Sequence, residues 1–360
     1  MTLISVILVL LLEQWRPLSK RIPVAALIGR FAAMLTDRFN AGERHHGVIA
    51  WLLAVVPLLL VVWGLYAILY RIHPFLALAL NVGVLYLTMG FRQASHFFTD
   101  IHQALNDGEL DRARSILGQW RGRAAMALSR EEISRVAVEQ ALIGAHTYVF
   151  AVIFWFALLP GPIGAILYRL AIALHSHWGL PASGEMGREL GRELGHQRGH
   201  QSGHFGWFAR SVYRTLDWIP ARLTAIGFAI VGDFEDAVYC WRAQAHAWAE
   251  WLTRAASGSV EFGVATTTAA DPAELVPEQT DVYGIGDSSG IVLATGAGAL
   301  GVRLGNPIRR EDGGYDERPE LGLGDEPDAH SLDLTIGLIW RALVLWLAMI
   351  LIITIVHALG

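Results

Sequence analysis

From Val48 to Tyr70 the chain runs through 23 residues without a charged side chain. As a helix rising about 1.5 Å per residue, that stretch crosses the roughly 30 Å hydrocarbon core of a bilayer. Arg71, Ile72 and His73 form a polar turn, and Pro74 restarts a second uncharged run over Phe75–Gly90. Residues 48–90 therefore predict a transmembrane hairpin. A third apolar run, Val149–Ala171, is interrupted by Pro160-Gly161-Pro162, which cannot continue a helix and predicts a broken or re-entrant helix pair. Leu334–Leu359 is apolar apart from Arg341, His357 and its ends, and predicts a C-terminal span with Arg341 snorkelling from one end. Met1–Leu12 is apolar but shorter than the roughly 20 residues a span needs. It lacks a basic leader, and Glu13 stands where a small-residue cleavage site belongs, so it reads as an interfacial helix.

Between these runs the pattern becomes amphipathic. Asp107-Gly108 separates two helices, the second with Leu110, Ala113, Leu117 and Trp120 on one face. Ser129 with Glu132 is a capping box that starts the next helix. Asp217-Trp-Ile-Pro220 leads into an apolar helix through Val231. Asp233 then caps a helix whose stripe holds Phe234, Val238, Trp241, Ala245, Trp248 and Leu252, read as packing in a bundle. Residues 256–333 are rich in glycine, proline and acids and read as loop-dominated.

The expected organisation has six parts: an N-terminal interfacial helix with a basic cytoplasmic segment (1–47), the hairpin (48–90), cytoplasmic helices running into the broken membrane pair (91–183), a low-complexity Gly/His insertion (184–206), a helical and Gly-rich loop region (207–333) and the last span (334–360). The fold class is all-α, a polytopic helical membrane protein. Lys and Arg set orientation. Arg16, Lys20, Arg21, Arg30, Arg38 and Arg44 precede the hairpin, and Arg92, Arg112, Arg114, Arg121, Arg123, Arg130 and Arg135 follow it. Both flanks are predicted cytoplasmic.

Composition agrees. Hydrophobic residues make up 53% and charged residues 17%, against about 25% charged in soluble domains; mean hydropathy is +0.39. A net charge of −5 gives no basic stripe for nucleic acid. The single cysteine, Cys240, excludes an intrachain disulfide and reads as a packed core thiol. His196, His200 and His204 recur every four residues, but the intervening glycines oppose a helix and no carboxylate or cysteine completes a site, so no metal is assigned. Gly296-Ala-Gly298-Ala-Leu-Gly301 fits the dinucleotide-binding spelling, yet Arg303, Gly305, Asn306 and Pro307 end any following helix and no second βαβ unit exists.

Several segments together resemble the CobD/CbiB family of membrane proteins associated with cobalamin biosynthesis. The likeness lies in Val136–Trp155, in Pro162, Gly164, Leu167, Tyr168 and Arg169, and in two intact blocks, Ile219–Ala225 (Ile-Pro-Ala-Arg-Leu-Thr-Ala) and Gly298–Gly305 (Gly-Ala-Leu-Gly-Val-Arg-Leu-Gly). The resemblance implies ATP-dependent amide formation between a corrinoid carboxylic acid and aminopropanol or its phosphate, with Mg²⁺ on the nucleotide, in the bacterial inner membrane. Implied catalytic residues are Glu139 and Asp217; implied ligand-binding residues are Arg222, Asp287, Ser288 and Arg303. Implied partners are the lipid bilayer, a corrinoid and a second copy of the chain.

The chain departs from the family wording where polar chemistry is concentrated. Ile143, Gly144, Ala145, His146 and Thr147 replace a Glu-Asn-Thr-Ser-Asp stretch, and Ala124 and Ala125 replace an Asp-Thr pair. Ile172, Ala173, Leu174, His175 and Ser176 replace Asn-Thr-Leu-Asp-Ser, Tyr213 and Arg214 replace two aspartates, and Gly286–Gly290 replaces Ser-Pro-Asn-Ala-Gly. These changes leave loss of activity open. The wording Leu216–Leu223 also resembles AmpE-like membrane proteins, which gives a non-catalytic signalling or ligand-binding alternative.

Overall fold

The computed structural model describes residues 2–15, 31–36, 38, 44–89, 91–121, 125–179, 205–256, 288–309, 314–316 and 318–359. The Gly/His insertion with His196, His200 and His204, most of the stretch between α10 and α11, and Asp287 lie outside the described residues. The helices are α1 (Thr2–Trp15), α2 (Arg44–Ile72), α3 (Pro74–Thr88), α4 (Phe91–Asn106), α5 (Leu110–Arg121) and α6 (Arg130–Ala145), then α7 (Ala151–Leu158), α8 (Ile163–Leu174), α9 (Trp207–Val231), α10 (Phe234–Ala256), α11 (Ser289–Leu300) and α12 (Ala329–Leu359). Wider π-helical turns, His146–Phe150 and His175–Gly179, join α6 to α7 and extend α8.

Among the described residues three helical stretches are long and apolar enough to cross a membrane: His45–Ile72, Arg130–Leu158 and Ala329–Leu359. They differ in what covers them. Only 17% and 22% of the most apolar windows of the first and last are buried against protein, but 67% of that of Arg130–Leu158. Leu60, Val61 and Ile68 on α2 and Val344, Ile352 and Val356 on α12 stand exposed. Water would penalise an apolar belt of that size, whereas lipid accommodates it. The chain is an all-α membrane protein, and α6 is the helix at its centre.

Each hairpin has a local cause. His73 caps α3 by accepting the Phe75 N–H at its Nδ1 (3.3 Å), with Pro74 at the first position of the helix. Ser129 and Glu132 form the expected reciprocal box at the start of α6. The Pro160-Gly161-Pro162 break becomes the tip of an α7–α8 hairpin. Gly161 has φ +66°, and a Cβ there would come within 2.9 Å of the Tyr66 ring, so glycine is needed both for the turn and for its seat against α2.

Contacts along α6 and α12 fix their relative direction. Arg135 meets Glu326 just before α12. Ala141, Gly144 and Val149 share a small apolar pocket with Ile336, Ile339 and Trp340, and the Phe150 and Trp346 rings lie 5.6 Å apart. The two helices therefore leave the same end of the bundle in parallel. The α7–α8 tip beside Tyr66 marks the opposite end, shared with the turn at Arg71–His73.

The segment read as loop-dominated is more regular than expected. A helix, α11, occupies Ser289–Leu300. Its glycines obscured it, since glycine disfavours isolated helices, but they serve close packing: a Cβ on Gly298 would lie 2.5 Å from the Asp236 carbonyl of α10. After α11 come two nested antiparallel pairs. Strand β1 (Arg303–Leu304) joins β4 (Leu321–Gly322), and β2 (Ile308–Arg309) joins β3 (Tyr315–Asp316). The tryptophan stripe of α10 packs inward as expected, with the buried face rotated to Ala237, Cys240, Trp248 and Trp251 while Phe234 is exposed.

Candidate functional site

Two polar centres lie along α6 and its continuation. The first is a buried ion pair beneath the β1–β2 loop. Arg318 Nη1 donates to Glu139 Oε2 at 2.8 Å, and its Nη2 donates to Glu139 Oε1 at 3.3 Å. The Gly305 N–H donates to Glu139 Oε1 at 2.8 Å. Arg318 also donates to the Gly305 carbonyl at 2.6 Å and the Asn306 carbonyl at 3.2 Å. Glu139 is wholly buried, so its charge is sustained by the guanidinium and the backbone donor. The arrangement pins Gly305–Asn306 against α6.

That pinned loop forms one wall of an open polar cleft of about 520 Å³ at the end where α6 and α12 begin. Arg114, Ser129, Glu132, Arg135, Arg309 and Glu326 line it together with the loop. The capping box contributes directly. Glu132 Oε2 accepts the Ser129 N–H at 2.7 Å while Oε1 accepts the Arg309 N–H at 3.0 Å, tying the helix start to β2.

The second centre sits about 10 Å further along the helix, seven residues on at about 1.5 Å each. Here the π-turn carries His146 inward. Asp217 Oδ1 accepts the Tyr168 hydroxyl at 2.6 Å and lies 3.0 Å from His146 Nε2. A carboxylate can only accept, so Nε2 carries a proton, and Nδ1 lies 3.0 Å from the Thr224 hydroxyl. Tyr213, one helical turn before Asp217, stacks on His175 with centroids 4.9 Å apart. His146, Tyr168, His175, Tyr213, Asp217 and Thr224 are all buried. Three positions that depart from the family wording, His146, His175 and Tyr213, thus gather around Asp217.

The structure keeps the implied catalytic pair apart: Glu139 belongs to the first centre and Asp217 to the second. Arg222 stacks its guanidinium over Trp218 at 4.0 Å and donates to the Trp218 carbonyl. Ser288 is a buried residue at the start of α11. Arg303, on β1, pairs at 3.8 Å with Glu320. None of these five lines the cleft. Arg318, Arg114, Arg135, Arg309, His146, Tyr168 and Thr224 were not singled out as site residues from the sequence. The capping box marked the start of α6 but did not signal a cleft there. Among the described residues no group of three or more His, Cys, Asp or Glu is placed to hold a metal ion. The guanidinium groups of the cleft suit anionic phosphate oxygens better than a magnesium ion.

Known proteins of one family resemble this chain. The family model described as CobD/Cbib protein matches residues 6–189. A cobalamin biosynthesis protein CobD from Stutzerimonas stutzeri is 31% identical over 352 residues, 97% of this chain and 96% of its own length. A second, from Chromobacterium violaceum, is 30% identical over 306 residues, covering 85% of this chain and 79% of the relative. The cobalamin biosynthesis protein CbiB of Salmonella typhimurium is 27% identical over 158 residues, 42% of this chain and 49% of the relative. No solved structure matches. Likeness along almost the whole length, on a helical membrane frame, makes this chain a member of the CobD/CbiB family.

Proposed function

We propose that the chain joins a corrinoid carboxylic acid to aminopropanol or its phosphate in an ATP-dependent amide-forming step, as a multi-pass protein of the bacterial inner membrane. The observation that carries the reading is the open polar cleft at the end where two membrane-grade helices begin, walled by a loop that Glu139 and Arg318 hold in place. It offers water-soluble anionic substrates a charged surface beside the bilayer. The Arg-rich segment around α5 and the start of α6 lies at this end, which supports placing the cleft on the cytoplasmic face. Names of relatives matched along most of their length support a role in cobalamin biosynthesis.

On this reading Glu139 is a positioning residue for the cleft wall, and Asp217 organises the junction of α6, α8 and α9. The departures from family wording do not by themselves argue for lost activity, because three of them form one coherent cluster.

The test is rescue of a bacterial strain lacking the corrinoid-amide enzyme, with the corrinoid acid supplied. Rescue, together with ATP-dependent amide product in isolated membranes, is expected. Failure to rescue despite confirmed membrane insertion overturns the reading and leaves the non-catalytic, AmpE-like alternative.

A further inference from the structure

Among the described residues, the cleft holds more guanidinium than its carboxylates satisfy. Arg114, Arg135 and Arg309 line it against Glu132 and Glu326. Glu132 is already committed, one oxygen to the Ser129 N–H and the other to the Arg309 N–H. Glu326 reaches Arg135 Nη1 only at 3.7 Å, with about half of its side chain in solvent, which is beyond hydrogen-bond length. The Arg135 side chain is 4% exposed, and Nη2 donates to the Pro307 carbonyl at 3.1 Å. Its Nε–H is buried and has no hydrogen-bond partner among the described residues. A buried guanidinium normally fills its donors, because an unmatched one costs the full loss of hydration. Arg114 is anchored through Nε to the Leu128 carbonyl and through Nη1 to Asp111, both at 2.9 Å. It is thus held over the cleft.

We infer that Arg114, Arg135 and Arg309 form a receptor for a phosphoryl oxyanion, and that Glu326 is the internal carboxylate this ligand displaces. Planar guanidinium forks match the oxygens of a phosphate in a way that a lysine point charge does not. The weak contact to Glu326 partly neutralises Arg135 and gives way to a ligand carrying more charge. The phosphoryl group can belong to a free phosphate ester or polyphosphate, or to a lipid headgroup, since the cleft lies where the spans begin. The inference rests on the cleft being the site of the proposed function and names the chemistry it recognises.

The experiment uses the full chain in detergent micelles, titrated calorimetrically with inorganic pyrophosphate. Saturable binding is expected, weakened about tenfold by Arg309→Ala and tightened by Glu326→Gln. Arg112→Ala, whose guanidinium pairs with Glu109 outside the cleft, leaves binding unchanged. No binding overturns the inference, as does equal weakening by Arg112→Ala, which would reveal only diffuse surface charge.

Nanodiscs separate the two sources. If headgroups are the ligand, pyrophosphate binding weakens in discs containing phosphatidylglycerol relative to phosphatidylcholine alone, and Arg309→Ala removes that difference. If a free phosphate is the ligand, the wild-type affinity is the same in both discs. Either pattern sustains the receptor. A difference that persists unaltered in Arg309→Ala, with no Arg309 effect in micelles, removes it. Rescue without pyrophosphate binding would sink this inference and spare the proposed function; binding without rescue would do the reverse.

Discussion

Glu139 and Arg318, 179 residues apart in sequence, meet in a buried bidentate contact with a shortest distance of 2.8 Å. The pair joins the central helix to the small β region and positions the wall of the cleft. Removing one partner of such a pair strands the other charge, at a cost of about 3–5 kcal/mol. Arg318→Met is expected to lower stability by that order. Combining it with Glu139→Leu is expected to cost less than the sum of the two single changes. Unfolding followed in detergent by tryptophan fluorescence, as a double-mutant cycle, reads the coupling; simple additivity would show that the contact carries no energy.

The Asp217 cluster makes a different prediction. Asp217→Ala removes the oxygen that accepts both the Tyr168 hydroxyl and the His146 N–H. The expected loss is on the order of 1–3 kcal/mol. Tyr168→Phe, which removes one donor and leaves His146 in place, is expected to cost less. The same unfolding assay checks the order, and an alanine variant as stable as wild type would contradict the hydrogen-bond scheme.

Cys240 should be silent to thiol reagents in the folded chain. It is fully buried, and burial, followed by the charge of Asp236, pushes its thiol up to about 11. At pH 8 only about one molecule in a thousand would carry a thiolate even if a reagent could reach it. Maleimide labelling is expected only after denaturation in SDS. Rapid labelling of native protein would show that α10 does not pack as described.

The start of the last span should be sensitive to acid. The Ser331 N–H donates to Asp328 Oδ1 at 2.8 Å, as does its hydroxyl at 2.9 Å. The backbone bond, then the hydroxyl, hold the Asp328 carboxyl below its ordinary value. A folded-state value below the unfolded one stabilises the protein fully above the unfolded value. That contribution disappears as pH falls through the folded value. Asp328 is largely solvent-exposed, so screening keeps the effect small. Asp328→Ala is expected to cost about 1 kcal/mol at neutral pH and less in acid, measured as midpoint shifts across pH; a shift that grows in acid would have the wrong sign.

Topology can be mapped in a Cys240→Ser background. Single cysteines at Asp111 and Glu326 are expected to label from one side of the membrane, and one at His73 from the other. Labelling of Glu326→Cys and His73→Cys from the same side would contradict their placement at opposite ends of the bundle.

Much of the fold was legible because lipid and helix geometry impose simple rules. Twenty or more uncharged residues in a row determine a membrane-grade helix. Pro160-Gly161-Pro162 determines a break, and Ser129 with Glu132 determines where α6 starts. Family membership was also legible, since Ile219–Ala225 and Gly298–Gly305 are intact. Helix α11 was hidden because Gly296 and Gly298 look like loop residues until α10 is seen packed against them. The site was hidden for a related reason. No local spacing links Glu139 to Arg318, or His146 to Asp217, because those pairs form only when distant helices cross. Sequence by itself determined which segments prefer lipid and where helices begin and end, both local matters of hydrophobicity and hydrogen-bond capping. Tertiary structure alone decided which buried charges find partners, since the cost of an unpaired charge can be met only by groups that the folded chain brings within hydrogen-bond reach.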